Sequence, residues 1–230
     1  MSEKRSILVI SAHPDDEVLG CGGTIARLSR HGYPVDIAIL GEGVTSRYKT
    51  REETPGDEVN RIREQAHQAS VFLGARNLRM FRLPDNRFDT VPLIDIVRII
   101  EELLGDIRPD VIYTHYPGDL NVDHSLTFRA TVTAARPLPG GPVRSVYTYE
   151  VPSSTEWSFH PGTASMKPNV FVNIEETLDT KIRALQVYES EVRAFPHPRS
   201  PEALKAIAHR WGSVAGIQAA EAFELVRAIR

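Results

Sequence analysis

The chain has 230 residues, 41% hydrophobic and 25% charged, a composition that suits one soluble globular domain with a substantial core and needs neither disorder nor a membrane span. A formal net charge of −3 gives no reason to expect nucleic acid or an anionic membrane as partner. The single cysteine, Cys21, excludes an intramolecular disulfide and a cysteine-built zinc cluster, and reads as a small buried side chain.

The opening Met-Ser-Glu-Lys-Arg lacks a signal-peptide core, so the cytoplasm is the expected compartment. Ile7–Ile10 is short, apolar and β-branched, as in a strand buried on both faces. It runs directly into Ser11-Ala12-His13-Pro14-Asp15-Asp16-Glu17. An imidazole and three carboxylates within five positions repel one another and resist burial, and a divalent cation relieves both problems. Pro14 keeps His13 out of helical dihedrals, so His13 and Asp16 can converge on one metal with Asp15 free beside it. The competing reading is that Asp15 or Asp16 merely caps the following helix.

Ile25–Arg30 has helical apolar spacing with Gly32 as its stop, and Val35–Leu40 returns as a second strand. A crossover of this length fits parallel strands. Gly20, Gly22 and Gly23 do not form a dinucleotide fingerprint; they are expected to let the helix approach the metal loop. Residues 41–48 leave the second strand at the same sheet edge as His13, where Arg47 is positioned to bind a sugar hydroxyl or a phosphate, unless it is simply solvated. Glu58–Leu73 shows a helical stripe, Asn77–Phe81 a third strand, and 83–87 a turn that puts Asp85 at the sheet rim as a substrate contact. Val91–Leu104 reads as a helix ended by Gly105.

Val111–His115 repeats the opening pattern, and 115–124 carry His115, Asp119, Asn121, Asp123 and His124 before a helix expected over Leu126–Ala135. A parallel arrangement brings His124 to the edge where His13 emerges, with Asp119 or Asp123 orienting a ring N–H from behind. His115 suits a packed neutral imidazole as well as a site residue. Beyond the break at 138–142, Val143–Val151 and Asn169–Ile174 read as strands, Glu175–Ser190 as a helix, and Ser200-Pro201 as a helix start. Trp157, Phe159 and His160 are candidates to line a sugar site, though such residues commonly serve a core. Ala215–Ile229 is ambiguous between helix and strand.

Ala12-His13-Pro14-Asp15-Asp16-Glu17 together with Asp123-His124 resembles the PIG-L, or LmbE-like, family of zinc-dependent N-deacetylases, and the resemblance extends to the tail segments Pro196–Ser200 and Ala220–Phe223. It implies a Rossmann-like, mostly parallel α/β sheet flanked by helices. The expected division is one domain over 1–230, with a core at 1–136 holding both motifs and a C-terminal elaboration at 137–230 completing the sheet and substrate site. It implies one Zn2+ per chain, or another divalent metal, held by His13, Asp16 and His124. Asp15 is then the general base, Asp123 lies behind a ligand, and the substrate is an N-acetylglucosamine-containing or related amino sugar. Relatives are often oligomeric, which leaves a homo-oligomer open.

Two His and one Asp leave zinc a free coordination position, and zinc lowers the pKa of a bound water toward about 7. Many members carry a histidine where this chain has Asn121, so oxyanion stabilisation must be reassigned. Asn121 itself and His197, stiffened by Pro196 and Pro198, are the candidates, with His115 behind them, and Asp15 is expected to act first as base and then as acid. The same site also fits an amidase or esterase on a non-sugar acyl group, and a non-catalytic binding module is the rival of another class.

Overall fold

The computed structural model describes residues 4–159 and 165–230. His160 therefore lies outside the described residues.

Among the described residues seven strands form a single sheet: β1 (Ile7–Ser11), β2 (Val35–Gly41), β3 (Asn77–Leu83), β4 (Val111–His115), β5 (Ser145–Tyr149), β6 (Val170–Asn173) and β7 (Ala220–Ala228), in the order β3-β2-β1-β4-β5-β7-β6. β3, β2, β1, β4 and β5 are mutually parallel, while β7 runs antiparallel to both β5 and β6. The second half of the chain thus completes the same sheet. The helices are α1 (Asp16–Arg30), α2 (Gly56–Leu73), α3 (Leu93–Ile107), α4 (Val122–Ala134), α5 (Leu178–Val187) and α6 (Pro201–Ala215).

Alternation along the buried strands divides the core in two. Ile7 and Val9 of β1, with Ile37 and Ile39 of β2, pack with Ile25, Ala66, Leu185 and Leu204 from α1, α2, α5 and α6. Leu8 and Ile10, with Ala38 and Leu40, face Ile96, Ile100 and Ala130 from α3 and α4. Side chains two apart share a face, which is why an uninterrupted apolar run serves a strand covered on both sides. No helix among the described residues is long and apolar enough to cross a membrane.

The chain moves outward from β1 through β2 to β3 and then returns to the other side of β1 with β4. That reversal opens a crevice beyond the carboxyl ends of β1 and β4, the place where open α/β sheets bind ligands. The two polar clusters follow those two strands.

Several local expectations need correction. The glycines of α1 do not face the metal loop: a Cβ on Gly20 would sit 2.2 Å from the Tyr149 ring, and one on Gly23 2.9 Å from Ile174. They admit β5 and the segment after β6 at close range, around a kink at Cys21. α3 passes through Gly105 to Ile107 and stops at Arg108, with φ 48, because its apolar stripe outweighs one glycine. α4 begins at Val122, not Leu126, since Asn121 caps it by accepting from Asp123 N at 2.9 Å. The closing stretch divides at Gly216, with φ 73, into the end of α6 and β7. α5 is also shorter than expected, Leu178–Val187.

Candidate metal centre

His13 leaves β1 and Asp16 opens α1. Asp16 Oδ2 accepts from His13 N at 2.8 Å, which folds the His-Pro-Asp-Asp segment back on itself. His124 enters from the first turn of α4, its Nε2 3.3 Å from Asp16 Oδ2, while His13 Nδ1 lies 3.4 Å from the same oxygen. Ligand atoms of His13, Asp16 and His124, all buried, lie within 4.8 Å of one another. Asp16 Oδ1 and His124 Nε2 have no hydrogen-bond partner among the described residues. Buried polar atoms are rarely left unsatisfied, so two of them converging with an imidazole nitrogen fit the demand of a divalent cation for neutral nitrogen and anionic oxygen donors.

The atoms behind the ligands are also placed. Asp123 Oδ2 contacts His13 Nε2 at 2.9 Å, and its other oxygen accepts from Phe88 N at 2.9 Å. Asp119 lies behind His124, with Oδ2 3.2 Å from Nδ1, and is itself held by Thr155 Oγ1 at 2.8 Å and by the hydroxyl of Ser154. The two aspartates therefore serve different rings, and Asp123 belongs to His13 rather than to its neighbour His124. Asp85 Oδ1 is 3.3 Å from His13 Nε2, and its Oδ2 accepts from Ser46 N and Oγ. It is buried in the pocket wall with both oxygens engaged.

Burial lowers the proton affinity of the His13 ring, but Asp123, Asp16 and Asp85 outweigh it and raise its pKa well above the ordinary histidine value. For His124, Asp16 and Asp119 overcome burial and raise the pKa to about 9. Burial pushes Asp16 upward, yet His124 and His115 hold it well below the usual carboxylate range. His115 is the opposite case: burial and His124 lower it, and its Nε2 accepts from Ala12 N at 2.8 Å, the pattern of a neutral packed imidazole.

Asp15 sits at the helix entrance with φ 98, a left-handed conformation that costs a non-glycine residue about 1–3 kcal/mol. Glu17 helps to hold it there, its Oε2 accepting from Asp15 N at 3.1 Å and its Oε1 from the Tyr188 hydroxyl at 2.6 Å. Burial raises Glu17 to about 7. The Asp15 carboxylate meets Arg199, with Nη1 2.7 Å from Oδ2. Burial nevertheless keeps the Asp15 pKa well above the ordinary value, against the pull of Arg199.

A pocket of 240 Å3 opens over these groups, lined by His13, Asp15, Asp16, Arg47, Asp85 and Asn121 among others, including Glu191 and Arg199. Arg47 donates to Glu191. Asn121 uses its oxygen to cap α4 and donates from Nδ2 to Asn86 Oδ1 at 2.8 Å, leaving one N–H. His197 does not line this pocket. Its Nδ1 accepts from Arg199 N at 3.1 Å, its ring meets Trp157 at 5.5 Å, and burial with Arg199 and Arg193 nearby lowers its pKa, which favours the neutral form. The Pro-His-Pro-Arg segment thus delivers the guanidinium two residues on, not the imidazole. Trp157 and Phe159 lie outside the pocket lining too.

Glu191, Arg193 and Arg199 line the pocket from the C-terminal half, and reading the chain in order misses all of them. The signal for Arg199 is its place in the Pro196–Ser200 segment, part of the resemblance read from the sequence; its partner is 184 positions away.

The fold agrees with what proteins of similar sequence and structure show. The PIG-L family model, described as GlcNAc-PI de-N-acetylase, matches residues 8–135, and the chain belongs to that family. A probable N-acetyl-alpha-D-glucosaminyl L-malate deacetylase 2 of Bacillus cereus is 27% identical over 199 residues, covering 84% of this chain and 86% of that protein. A 4-oxalmesaconate hydratase of Pseudomonas putida is 27% identical over 201 residues, covering 80% and 72%. Among solved structures, the conserved protein TT1542 from Thermus thermophilus superposes with a TM-score of 0.75 at 26% identity, covering 98% of this chain and 96% of that one.

Proposed function

We propose that the protein is a metal-dependent hydrolase that removes the N-acetyl group from an N-acetylglucosamine-containing or related amino sugar, releasing acetate and a free amine. The observation that carries this reading is Asp15, a buried carboxylate held beside the His13–Asp16–His124 cluster, with its unpartnered Asp16 Oδ1 and His124 Nε2, without belonging to it. A pure binding site has no use for such a group. Family membership and a polar pocket support the same reaction.

In this reading His13, Asp16 and His124 hold one divalent metal, which we assign as zinc from the mixed nitrogen and oxygen donors. When bound, the metal supplies Lewis acidity to a carbonyl oxygen and to water near neutral pH. Asp123 and Asp119 fix the two rings from behind. Asp15 takes the proton of the attacking water on its carboxylate, with Arg199 fixing the orientation of that carboxylate. The remaining N–H of Asn121 is the protein donor assigned to the developing oxyanion. When the C–N bond breaks, Asp15 returns the same proton to the leaving nitrogen, so water divides between acetate and amine with no other reactant. Arg47 contacts the polar part of the substrate beyond the acetamide, and Asp85 shapes the wall behind His13.

The hydratase relative supports a second reading, in which the same pocket adds water across a carbon–carbon double bond. Incubating metal-loaded protein with N-acetylated sugars, non-sugar acetamides, acyl esters and unsaturated dicarboxylates separates the cases. Acetate and amine appearing together from an N-acetylated sugar is the expected result. Turnover confined to esters or to the unsaturated acids overturns it.

A further inference from the structure

Asp15 stands at the position that caps α1, yet its carboxylate accepts no hydrogen bond from the helix. An aspartate there ordinarily folds its side chain over the first turn to accept from a helix N–H. Here the backbone carries the turn instead: Asp15 O accepts from Val18 N at 3.0 Å and from Leu19 N at 2.9 Å, while Asp15 N donates to Glu17 Oε2 at 3.1 Å. The side chain is left to line the metal pocket, where Arg199 meets it. Glu17 thus takes the part of the acidic member of a capping box, which reaches back to the capping residue's N–H.

Glu17 can hold that N–H only if its own side chain is fixed. Its other oxygen, Oε1, accepts from the Tyr188 hydroxyl at 2.6 Å, and Asp15, Glu17 and Tyr188 are all buried, away from water that could replace either bond. A buried carboxylate that loses one donor seeks another, and the point that yields is the turn at Asp15, already strained at φ 98. Tyr188 also closes α5, and its carbonyl accepts from Glu191 N at 2.9 Å and Val192 N at 3.2 Å. That turn sets Glu191 in the pocket wall beside Arg199. One residue of the C-terminal half therefore reaches Asp15 by two routes, through Glu17 to its backbone and through Glu191 and Arg199 to its carboxylate. Only the first depends on the hydroxyl.

We infer that Tyr188 is a positioning residue: its hydroxyl, acting through Glu17, holds Asp15 in the left-handed turn that keeps the carboxylate in the pocket and off the helix end. The inference rests on Asp15 as the base of the N-deacetylase reading and adds to it a residue from the far half of the chain.

The test compares Tyr188→Phe, which keeps the ring and removes only the hydroxyl, with wild type, both as metal-loaded full-length proteins releasing acetate from an N-acetylated glucosaminide. The kcat should fall by roughly tenfold, the scale of one hydrogen bond to a charged group, with KM and metal content unchanged. Glu17→Gln, which retains an acceptor for Asp15 N and a partner for the Tyr188 hydroxyl, should recover most of the kcat that Glu17→Ala loses. In the Glu17→Ala background Tyr188→Phe should lower kcat little further, because the two changes break one chain of contacts. A crystal structure of Tyr188→Phe should show the Asp15 carboxylate withdrawn from Arg199. Unchanged kcat with a lowered Tm, losses that add across the two positions, or an Asp15 that has not moved overturns the positioning role and leaves the deacetylase reading standing. If wild-type protein releases acetate from no N-acetylated sugar, the deacetylase reading fails, and the place of Asp15 in the Tyr188→Phe structure decides this inference by itself.

Discussion

Arg199 Nη1 and Asp15 Oδ2 lie 2.7 Å apart across 184 positions of sequence. The guanidinium also donates from Nε to Ser153 Oγ at 2.9 Å and has Glu191 Oε2 at 3.8 Å, so two further groups position it against Asp15. That contact governs where the Asp15 carboxylate points and shapes the first prediction.

Arg199→Ala should leave metal content unchanged and lower kcat by about 10²-fold, the effect expected when a reacting group is misplaced by about 1 Å. Arg199→Lys, or guanidinium added to the Ala variant, should recover part of the loss. Steady-state kinetics with metal analysis on the same samples checks this; a variant that loses metal instead makes Arg199 part of the scaffold.

Asp15→Asn preserves shape but cannot accept a proton, so turnover should fall by roughly 10²–10⁴-fold while about one metal per chain remains. Near-normal turnover removes Asp15 as the base.

Asp119→Ala and Asp123→Ala each remove the carboxylate behind one ring and should weaken metal binding by about 10–100-fold, less than loss of His124 or His13 themselves. Competition with a chelator of known affinity ranks these variants. Affinities equal to wild type detach the two aspartates from the metal centre.

The contrast between these residues explains what the sequence discloses. His13, Asp15 and Asp16 are close in sequence and follow a buried strand, so their convergence is a local consequence of a turn after Ile7–Ile10. His124 needs one further inference, that β4 lies beside β1, and the parallel pairing supplies it. Arg199 and Glu191 arrive from the far end of the chain, and no local pattern gives their partners. The same holds for the α1 glycines, whose neighbours Tyr149 and Ile174 belong to the C-terminal half. Asn121 looks like a substituted catalytic position in the sequence because its capping bond to Asp123 N depends on where α4 begins. Pro-stiffened His197 misleads for a related reason: which residue of a rigid loop points inward depends on what the loop packs against.

Stability rests on another long-range contact. Lys181 Nζ lies 2.6 Å from Glu221 Oε1, and the Glu221 carboxylate accepts from Gly23 N at 2.9 Å and Thr24 N at 2.6 Å beside the α1 kink. Both side chains are buried. Glu221→Ala leaves a buried ammonium and two amides without their acceptor, and should destabilise the fold by about 3–5 kcal/mol in denaturant unfolding. A loss below about 1 kcal/mol shows that water takes over the role.

On the proposed function, one metal at His13, Asp16 and His124 makes this pocket a deacetylating centre. Stripping the protein with a chelator and titrating zinc back while measuring acetate released from an N-acetylated glucosaminide checks this dependence. Acetate release should be lost on stripping, rise in proportion to added metal and level off at about one equivalent per chain, with His124→Ala showing no such break. Release that survives stripping, or a His124→Ala titration identical to wild type, rules out a metal at these residues as the deacetylating group.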